Sequence, residues 1–596
     1  MLILEDTDND GVADKRTVFL QGLDMACGII CGDGGVYIGQ QPHLLHFKDN
    51  DGDDKPDEWR VVLTGFGRED THELINSFSW GPDGWLYMTH GVFTNSKVRR
   101  PGEPVEKGFK FDAGIGRCKP LTGEFEVFAD GTSNPWGCDF DANGNFFVSA
   151  CVIDHLFHMA PGGIYVRQGG APENPYAYEL LPSIVKHKHF RAAYAGIQIY
   201  QGGVYPKDTH GHLFIGNIHD NAIHEEKVTP VGASFKAEPV RDFLRANDGW
   251  FRPVSTQTGP DGNLWVMDWC DKYPCYQNAK ANPEGVDRAR GRVWRVVYTG
   301  DKEGDAAKNI GSREKKDLNL KKVERADLVT LLGHTNSWMR RTATRMLVED
   351  WRGEWSHTTI PSPNKWLAPL IKDAKDPSLA ITAAWTILSC GDVDSSLIDL
   401  LAASPHAALR KWAARLHDEA PESAPRATVS GQPKSGRDEL TYRVLDKLAG
   451  DESAPVRAAT ATAIRRSLGL SLCTDRRRDD FQRLMVEDPS QFPVFMGASA
   501  HVRRSLPALL EKSAAEDDKV LAFAIWQAME PMVADSPAVV LEMLEKSAPS
   551  SQPVSRTLVY KTMRRLCDTR DAENLNLAVS FCEKIQDNDS LLASAL

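Results

Sequence analysis

The first 300 residues repeat one short pattern of hydrophobic and polar positions. A turn rich in Gly, Asp or Asn is followed by a run of alternating aliphatic and aromatic residues, as in Gly81–Gly84 and Trp85–Tyr87. Further copies lie at 32–39, 141–148, 210–216 and 259–266. The Gly or Asn supplies a positive φ in the turn, and a period-2 run is typical of a strand. Each copy therefore predicts a β-hairpin in which the run after the turn is an inner strand.

The spacing of these hairpins predicts a propeller. The copies lie roughly 50 to 65 residues apart, the length of one four-stranded blade with its loops. Strand-like pieces at Leu2–Leu4 and Thr17–Leu20 precede the first copy, and we interpret them as the outer half of a blade whose inner half is missing. Residues 1–298 are therefore predicted to form most of a six-bladed β-propeller. The chain is expected to begin inside a larger protein.

A different period follows Tyr298. Residues 299–322 are charged with few large apolar groups and predict a linker, whereas from Val323 the apolar spacing becomes helical. An acidic or Pro-bearing turn that leads into an Ala-lined helix, as at 451–459, is similar to HEAT repeats. Residues 323–596 are thus predicted to be a HEAT- or armadillo-like helical solenoid with a loop insertion at 421–438. The fold class is multidomain β plus α, and the C-terminus, which lacks a polar capping repeat, is expected to be cut as well.

Charge and hydropathy exclude some functions. The chain has 82 Asp and Glu against 70 Lys and Arg, a net charge of −12, which argues against nucleic acid as a partner because phosphates require a basic surface. No apolar run approaches the ~20 residues of a membrane helix, and no signal-peptide pattern is visible. No Cys-x-x-Cys-His motif occurs, so no haem is expected in this chain. Cys270 and Cys275 flank a short turn and form either a small disulfide loop or a pair of buried thiols.

Two acidic loops have features of calcium sites. In the first loop, carboxylates occupy positions 1, 3 and 5, Gly11 occupies position 6 and another carboxylate occupies position 9, which is the calcium-loop spacing. The carbonyl of Val12 is a further expected ligand, whereas position 12 is Thr17 instead of Glu. The second loop is a degraded version. The predicted ligands are Asp6, Asp8, Asp10, Val12, Asp14, Asp49 and Asp51.

The role expected of calcium at these loops is structural, since it would hold a strand connection in place. Hard oxygen ligands favour Ca²⁺ over zinc or copper. An Asx-rich β-turn that needs no metal is the alternative for either loop.

Four motifs in order resemble a known group of proteins. They are Asp6–Gly11, Trp80–Tyr87, Asn134–Gly137 and Trp250–Val254. Together they resemble the soluble quinoprotein glucose/sorbosone dehydrogenases, and more closely the large propeller-plus-HEAT "membrane-bound dehydrogenase" proteins of planctomycetes and verrucomicrobia. The resemblance spans residues 1–298 and implies a periplasmic or cell-surface location. Many of those proteins continue into a C-terminal haem domain, which this chain lacks.

The resemblance implies a pyrroloquinoline quinone (PQQ) site at the propeller mouth, where a His takes the substrate hydroxyl proton. His72, with Asp70 beside it, is the candidate base, because an imidazole titrates near neutral pH and a carboxylate can poise it. The family pattern places this His eight residues before the Gly of Gly-Pro-Asp, where this chain has Glu73. His72 is therefore one position away from the pattern.

Two further residues are implied as cofactor contacts. Asn134 and Arg252 match the family, and the planar fork of Arg252 could pair with a PQQ carboxylate. The alternative for Arg252 is a structural ion pair with Asp248 or Asp268. The Arg that precedes Asn-Pro in the quinoproteins is replaced here by Ser133.

Several histidines gather in the sequence between residues 187 and 224. His210 and His212 alternate on one predicted strand face. Histidines at strand ends usually form ordinary hydrogen bonds, and a metal site is the alternative. The set comprises His187, His189, His210, His212, His219 and His224.

Two functions are consistent with these features. The first is a PQQ-dependent type of dehydrogenase that oxidises a sugar or alcohol at the propeller mouth. The alternative is a non-catalytic, calcium-stabilised scaffold that binds a glycan at the mouth or a protein partner on the HEAT array. Glu73 and Ser133 favour the scaffold, whereas His72, Asn134 and Arg252 favour the enzyme. A metal-dependent lyase or lactonase would need a convergent Glu/Asn/Asp set that the spacing does not supply.

Overall fold

The computed structural model describes the chain except for short segments. The described residues are 1–8, 10–191, 193–273, 283–287, 289–300, 319–354, 361–373, 375–419, 436–468, 470–473, 492–547 and 552–596. The predicted Cys270–Cys275 pairing depends on Cys275, which lies outside these residues. Most of the predicted linker and of the predicted 421–438 insertion also lies outside them.

The N-terminal half consists of antiparallel sheets that follow one another along the chain. Sheet 1 pairs β1 (Leu2–Glu5) with β2 (Lys15–Val18). Sheet 2 contains β3 (Gly28–Gly32), β4 (Gly35–Gln40), β5 (His43–Lys48) and β6 (Glu58–Thr64). The next strands are β7 (Asn76–Trp80), β8 (Leu86–His90), β9 (Ser96–Val98), β10 (Phe109–Phe111), β11 (Gly114–Lys119) and β12 (Glu124–Thr132). Of these, β7, β8, β11 and β12 form sheet 3, and β9 pairs with β10.

Three further sheets complete this half. Sheet 4 contains β13 (Cys138–Phe140), β14 (Phe146–Ser149) and β15 (Leu156–His158), and β16 (Ile164–Arg167) returns to pair in parallel with β12 of sheet 3. Sheet 5 contains β17 (Tyr194–Ile199), β18 (Leu213–Asn217), β19 (Ala222–Val231) and β20 (Ser234–Arg245). Sheet 6 contains β21 (Pro253–Thr258), β22 (Leu264–Asp268) and β23 (Arg292–Val296).

The five predicted hairpins are confirmed. In sheets 2 to 6 the first two strands pair in antiparallel fashion across the predicted turns. The run after each turn is the second strand of its sheet, whereas the first strand, which precedes the turn, contacts the first strand of the next sheet. The innermost position therefore belongs to the strand before the turn, one place earlier than predicted.

The first strands of sheets 2 to 6 run side by side in the same direction. The N-terminal end of each of these strands lies beside the N-terminal end of the next, and the same holds for the C-terminal ends, as in a propeller-like arrangement. The contacts that show this are Gly28 with Phe78, Gly32 with Trp80, Ser77 with Cys138, Trp136 with Gly196, Asp139 with Ile199, Gly196 with Thr256 and Gln198 with Thr258. We call the end at which these strands begin the loop face, and the end that carries the hairpin turns the turn face.

The C-terminal half is helical. Its helices are α1 (Arg325–Leu331), α2 (Ser337–Glu354), α3 (Pro363–Asp373), α4 (Pro377–Cys390), α5 (Ser395–Ala402), α6 (Ala407–Glu419), α7 (Gly436–Ala449), α8 (Ala454–Ser467), α9 (Phe492–Ser513), α10 (Lys519–Asp535), α11 (Pro537–Ser547), α12 (Pro553–Asp568), α13 (Ala572–Lys584) and α14 (Asp589–Ala595). Among the described residues, none of these helices has both the length and the apolar character needed to cross a membrane.

Side-chain caps fix where several helices begin. The carboxylate of Asp376 accepts the backbone N–H of Ser378 at 2.9 Å, and that of Asp518 accepts Leu521 N–H at 2.9 Å. Such caps satisfy backbone donors that lack a partner in the first turn. Gly391 ends α4 with a φ of +76°, a left-handed conformation that glycine adopts without strain. The other carboxylate oxygen of Asp518 accepts Ala233 N–H, so this cap also joins α10 to the β19–β20 hairpin.

The helical half packs on the turn face of the sheets. Lys411 donates to the Asn143 carbonyl at 3.0 Å, and Asn336 donates to the Gly259 carbonyl at 3.0 Å. Glu349 accepts the backbone N–H of Asp33 at 2.8 Å. Buried apolar residues from both halves form one continuous core cluster. The loop face is the opposite end of the sheets.

A buried ion network also crosses between the halves. Arg117 on β11 pairs with Asp83 at 2.7 Å and with Glu126, and Arg466 on α8 reaches Glu126 at 2.8 Å. Burial alone would raise the pKa of Glu126, but the two guanidinium groups outweigh it and lower that pKa to about 2. The carboxylate is therefore ionised and doubly paired.

Candidate functional site on the loop face

His72 and Asp70 form an exposed pair in the loop that leads into β7. Nδ1 of His72 donates to Oδ1 of Asp70 at 2.5 Å, and the backbone N–H of His72 donates to the same oxygen at 3.0 Å. The imidazole side chain is 57% exposed. Burial opposes ionisation of Asp70, but the hydrogen bonds from His72 outweigh it and lower the Asp70 pKa. A carboxylate that holds Nδ1–H leaves Nε2 as the nitrogen that can accept a proton.

Glu73, the next residue, points the opposite way. Its side chain is buried, and Nδ2 of Asn76 donates to Oε1 at 3.2 Å. Burial raises the pKa of Glu73 well above its usual value. The position at which the quinoprotein pattern has its His is therefore an internal carboxyl group whose neutral form is favoured by burial. The adjacent His72 takes the exposed side of the loop.

Asn134 makes an internal contact at the entrance to β13. Its Oδ1 accepts the backbone N–H of Val92 at 3.1 Å, and a Cβ at Gly91 would stand 2.6 Å from that oxygen. Gly91 is therefore required for this close approach. The adjacent Ser133 is fully buried and donates to Oε1 of Gln168 at 2.5 Å.

Arg252 holds the backbone together before β21. Its Nη1 donates to Oδ1 of Asn221 and to the carbonyl of Phe251. Its Nη2 donates to the carbonyls of Gly249 and Lys272, at 2.9 and 2.5 Å. Asp268 accepts the backbone N–H of Arg252 at 2.7 Å, whereas the side chains of Asp268 and Asp248 pair with Arg292. The side chain of Arg252 thus joins backbone segments and forms neither of the ion pairs considered from the sequence.

These contacts bear directly on the cofactor that the resemblance implies. PQQ carries carboxylates, which a free guanidinium fork or amide would have to bind. Both amino groups of Arg252 already donate to protein oxygens, so in this arrangement Arg252 does not fit as a contact to PQQ. The contact of Asn134 with Val92 uses Oδ1, whereas a carboxylate would accept from the amide nitrogen Nδ2, so Asn134 stays a predicted contact.

The first acidic loop brings its carboxylates together. One oxygen each from Asp6, Asp8 and Asp10 lies within 4.8 Å of the others. Asp6 and Asp10 also accept the backbone N–H groups of Gly11 and Val12, at 2.9 and 2.7 Å. Asp14 instead accepts from the backbone and hydroxyl of Thr7, at 2.9 and 2.6 Å, which lowers the pKa of Asp14.

The second acidic loop also brings three carboxylates together. They belong to Asp49, Asp51 and Asp53, of which Asp53 was not predicted. Asp49 accepts the backbone N–H groups of Gly52 and Asp54 at 2.7 and 3.0 Å. Both loops therefore combine Asx turns with a possible set of oxygen ligands.

The histidines divide into two kinds. His212 pairs with Glu225 at 2.6 Å, and His224 pairs with Asp242 at 2.8 Å, which are ordinary hydrogen bonds. His187, His189 and His155 instead converge on Glu226. His155 and Glu226 were not among the residues predicted from the sequence. The distances from Nε2 to Oε1 of Glu226 are 3.1 Å for His155, 2.8 Å for His187 and 2.7 Å for His189. We call these four residues the three-histidine cluster.

Apart from the acidic loops and from His210 and His212, which lie in the β17–β18 turn on the turn face, these candidates lie at or near the loop face. His72, Asn134, His187, His189 and Arg252 precede the first strands of sheets 3 to 6, and His155 lies in the β14–β15 connection at the same end. The sequence carries no spacing that distinguishes Glu226 from the adjacent Glu225, and only the structure shows that both lie in a run of five buried positions at the start of β19.

Comparison with known proteins gives a family and several distant structural likenesses. The model of the family described as "Domain of unknown function (DUF7133)" matches residues 1–300. No curated protein matches the chain.

Similar solved structures include three of different description. An oxidoreductase (glucose dehydrogenase) of Thermus thermophilus is 18% identical with a TM-score of 0.30, covering 46% of this chain and 97% of its own. A second glucose dehydrogenase is 16% identical with a TM-score of 0.29, covering 41% and 79%. A luciferin-regenerating enzyme is 11% identical with a TM-score of 0.30, covering 48% and 81%. At such values the function has to be argued from this chain's own residues.

Proposed function

Because this chain belongs to the DUF7133 family, whose description names no activity, we propose a function from its site: oxidation of a sugar or alcohol hydroxyl at the loop face, with His72 as the general base. The observation that carries the proposal is the hydrogen bond from Nδ1 of His72 to Asp70 on an otherwise exposed imidazole. An exposed base with a fixed ring is suited to a substrate that arrives from solvent.

The two residues divide the proton-transfer step between them. Nε2 of His72 accepts the substrate hydroxyl proton, and Asp70 stabilises the imidazolium that forms while it holds the ring in place. Oxidation also requires a hydride acceptor. Since Arg252 does not fit PQQ, a quinone acceptor would have to contact Asn134 or other residues of the loop face.

The experiment uses the full chain with PQQ and Ca²⁺ added, a dye acceptor and a panel of sugars and alcohols. We expect substrate-dependent dye reduction that is lost in His72→Asn and kept in His406→Asn, which changes an exposed His of the helical half. Absence of substrate-dependent reduction in the folded protein, with PQQ and with other acceptors, overturns the dehydrogenase proposal.

A non-catalytic scaffold is the second candidate, and one observation favours it. Arg252 and Asn134 serve the internal structure of the loop face, and the position of the family's His is a buried Glu73. In that case the loop face binds a glycan, or the helical half binds a protein partner, without turnover. Calorimetric binding of a sugar that is unaffected by His72→Asn, with no oxidation of that sugar, supports the scaffold.

The architecture that we propose is a six-bladed propeller over residues 1–298, a linker at 299–322 and a HEAT-like solenoid over 323–596. The aligned first strands of sheets 2 to 6 support five blades, and the β1–β2 pair supports part of a sixth. Consecutive helices that contact one another support the solenoid.

Two further proposals concern calcium and location. Calcium at the first acidic loop is supported by the convergence of Asp6, Asp8 and Asp10, and calcium at the second by that of Asp49 and Asp51. A periplasmic or cell-surface location rests on the resemblance of the four motifs.

A further inference from the structure

The three-histidine cluster joins separate parts of the chain at one point. His155 belongs to the β14–β15 connection, His187 and His189 to the loop before β17, and Glu226 to β19. Glu226 lies 71 residues from His155 and 37 from His189 in sequence, yet their side chains meet. One ligand atom from each of the four residues lies within 4.8 Å of all the others.

Hydrogen bonding alone accounts poorly for this arrangement. Three imidazole nitrogens approach the same oxygen of Glu226, at 2.7, 2.8 and 3.1 Å. A carboxylate oxygen has about two lone-pair sites, so three donors exceed its capacity. The second oxygen, Oε2, is buried and has no hydrogen-bond partner among the described residues. A cluster held by hydrogen bonds would distribute its donors over both oxygens.

A metal ion explains the same geometry. Nitrogen and oxygen ligands bound at about 2.0–2.2 Å to one ion lie about 2.8–3.1 Å apart at adjacent octahedral positions and about 3.3–3.6 Å apart in a tetrahedron. The Nε2–Oε1 separations of 2.7 to 3.1 Å are close to the octahedral spacing and shorter than the tetrahedral one. We propose that His155, His187, His189 and Glu226 bind one divalent first-row transition-metal ion through three Nε2 atoms and a carboxylate.

The residues around the cluster hold the rings in position. The ring of Tyr194 stacks on His155 with centroids 4.3 Å apart, and its hydroxyl accepts the backbone N–H of His189 at 3.0 Å. His224 stacks on His189 with centroids 3.9 Å apart and an interplanar angle of 3°. Asp242 in turn accepts from His224 at 2.8 Å. Rigid rings lower the cost of assembling a metal site, because little side-chain freedom remains to be lost.

The donor set identifies the class of ion. Three imidazoles and one carboxylate suit zinc, copper, iron or manganese, whereas Ca²⁺ and Mg²⁺ prefer oxygen ligands throughout. His155 and Glu226 are fully buried, but the His187 side chain is 23% exposed. The ion therefore has a route from solvent on the His187 side, where a water molecule can complete the coordination. This site is separate from the acidic loops and from the His72–Asp70 pair.

The first test measures metal content without an affinity tag, since a polyhistidine tag would itself bind metal. The full chain is purified without chelator, and its metals are measured by mass spectrometry. We expect about one transition-metal ion per chain, by the donor set above, and a loss of most of that metal in His187→Asn and Glu226→Gln. The control is His212→Asn, which changes a partly buried His of sheet 5 that pairs with a single carboxylate, Glu225.

The second test uses chelator-stripped protein and Co²⁺ as the probe. Cobalt bound by nitrogen and oxygen ligands absorbs visible light, so the titration should reach its endpoint at about one equivalent. His187→Asn should weaken Co²⁺ binding by at least about 10-fold, the lower range seen when metal sites lose a supporting group. His72→Asn should bind Co²⁺ like the unmodified chain, which separates this proposal from the proposed oxidation.

Either of two results overturns the metal site. One is a folded chain that carries no transition metal and binds no Co²⁺ after chelator treatment. The other is unchanged metal content and Co²⁺ affinity in both His187→Asn and His189→Asn. Glu226→Gln changes a fully buried group, so circular dichroism is recorded first. If that variant does not fold, His187→Asn decides, because its ring is the most exposed of the four residues.

Discussion

Trp412 donates its indole N–H to the carbonyl of Asn143, 3.0 Å away. The donor lies on α6 and the acceptor in the turn between β13 and β14, so this bond joins a helix to the turn face. A Cβ at Gly144 would stand 2.6 Å from the same indole ring. The absence of a side chain at that turn residue lets the helix approach this closely.

We expect Trp412→Ala to destabilise the contact between the halves. The indole is fully buried, and removal of a buried Trp typically costs about 3–5 kcal/mol of unfolding free energy. Denaturant unfolding followed by circular dichroism measures the loss. The control is Trp59→Ala, since Trp59 is 64% exposed on β6 and should change stability little. Equal effects of the two substitutions would contradict the assigned role of Trp412.

Stability at low pH should depend on Glu126. Its pKa is lowered to about 2 in the folded chain from the usual 4.5. A lowered pKa adds stability that is present above about pH 4.5 and is lost as the pH falls towards 2. Glu126→Gln should therefore remove part of the acid sensitivity between these values, although at neutral pH it destabilises by about 3–5 kcal/mol because it leaves the Arg117 charge buried without this partner. Melting temperature against pH measures both effects, with the exposed Glu124→Gln as control.

The contribution of Glu73 to stability should depend on pH in the opposite sense to that of Glu126. Burial raises its pKa well above the usual value, so its contribution is fully present below about pH 4.5 and is lost as the pH rises towards the folded pKa. Glu73→Gln keeps a neutral group of similar shape. We expect this variant to match the unmodified chain near pH 4 and to be more stable at pH 8. A variant that is less stable at pH 8 would show that Glu73 is ionised when folded.

The proposed base predicts a graded effect of two substitutions on any oxidation that is found. His72→Asn should lower kcat by about 10²- to 10⁴-fold, the usual contribution of a general base. Asp70→Asn should lower kcat less, because the ring keeps its Nε2 base and loses only the carboxylate that holds Nδ1. Initial rates of the two variants measure the difference. A kcat that is unchanged in Asp70→Asn would show that the pair does not act as a unit.

Calcium at the first acidic loop predicts a stability effect that depends on one carboxylate. Ca²⁺ added to the chelated full chain should raise the melting temperature, because an ion that binds only the folded state stabilises it. The rise should shrink in Asp8→Asn and persist in Asp51→Asn if the first loop is the principal site. Mg²⁺ at the same concentration is the control ion. An equal rise in Asp8→Asn and the unmodified chain would contradict this assignment.

Local sequence predicted the hairpins and helices well, because their causes are local. The turn at Gly81–Gly84 has the residues that a tight turn requires, and β7 and β8 pair across it as expected. The acidic turn and Ala-lined helix predicted at 451–459 correspond to the connection after α7 and the start of α8, where Pro455 stands in the first turn. These features depend on neighbouring residues alone.

The site depended on contacts that no local pattern records. Arg252 matched a motif, but the carbonyls of Gly249 and Lys272 that occupy its guanidinium become neighbours only after folding. His155 and Glu226 are separated by 71 residues and have no shared spacing, so their meeting follows from the packing of sheet 4 against sheet 5. Residue type was predictable at these positions, whereas the partner of each residue was not.

The helices hold the sheets by their hairpin turns, and this has a consequence for comparison between related chains. Asp83, in the Gly-Pro-Asp-Gly motif, lies beside Arg117 and Arg415, and a Cβ at Gly84 would stand 2.9 Å from Ser389. In this chain that motif therefore supports the contact with the helices, and it lies at the opposite end of the sheets from the candidate site. Two chains could share the whole motif and differ in reaction, so sorting such chains by activity requires the loops of the other end.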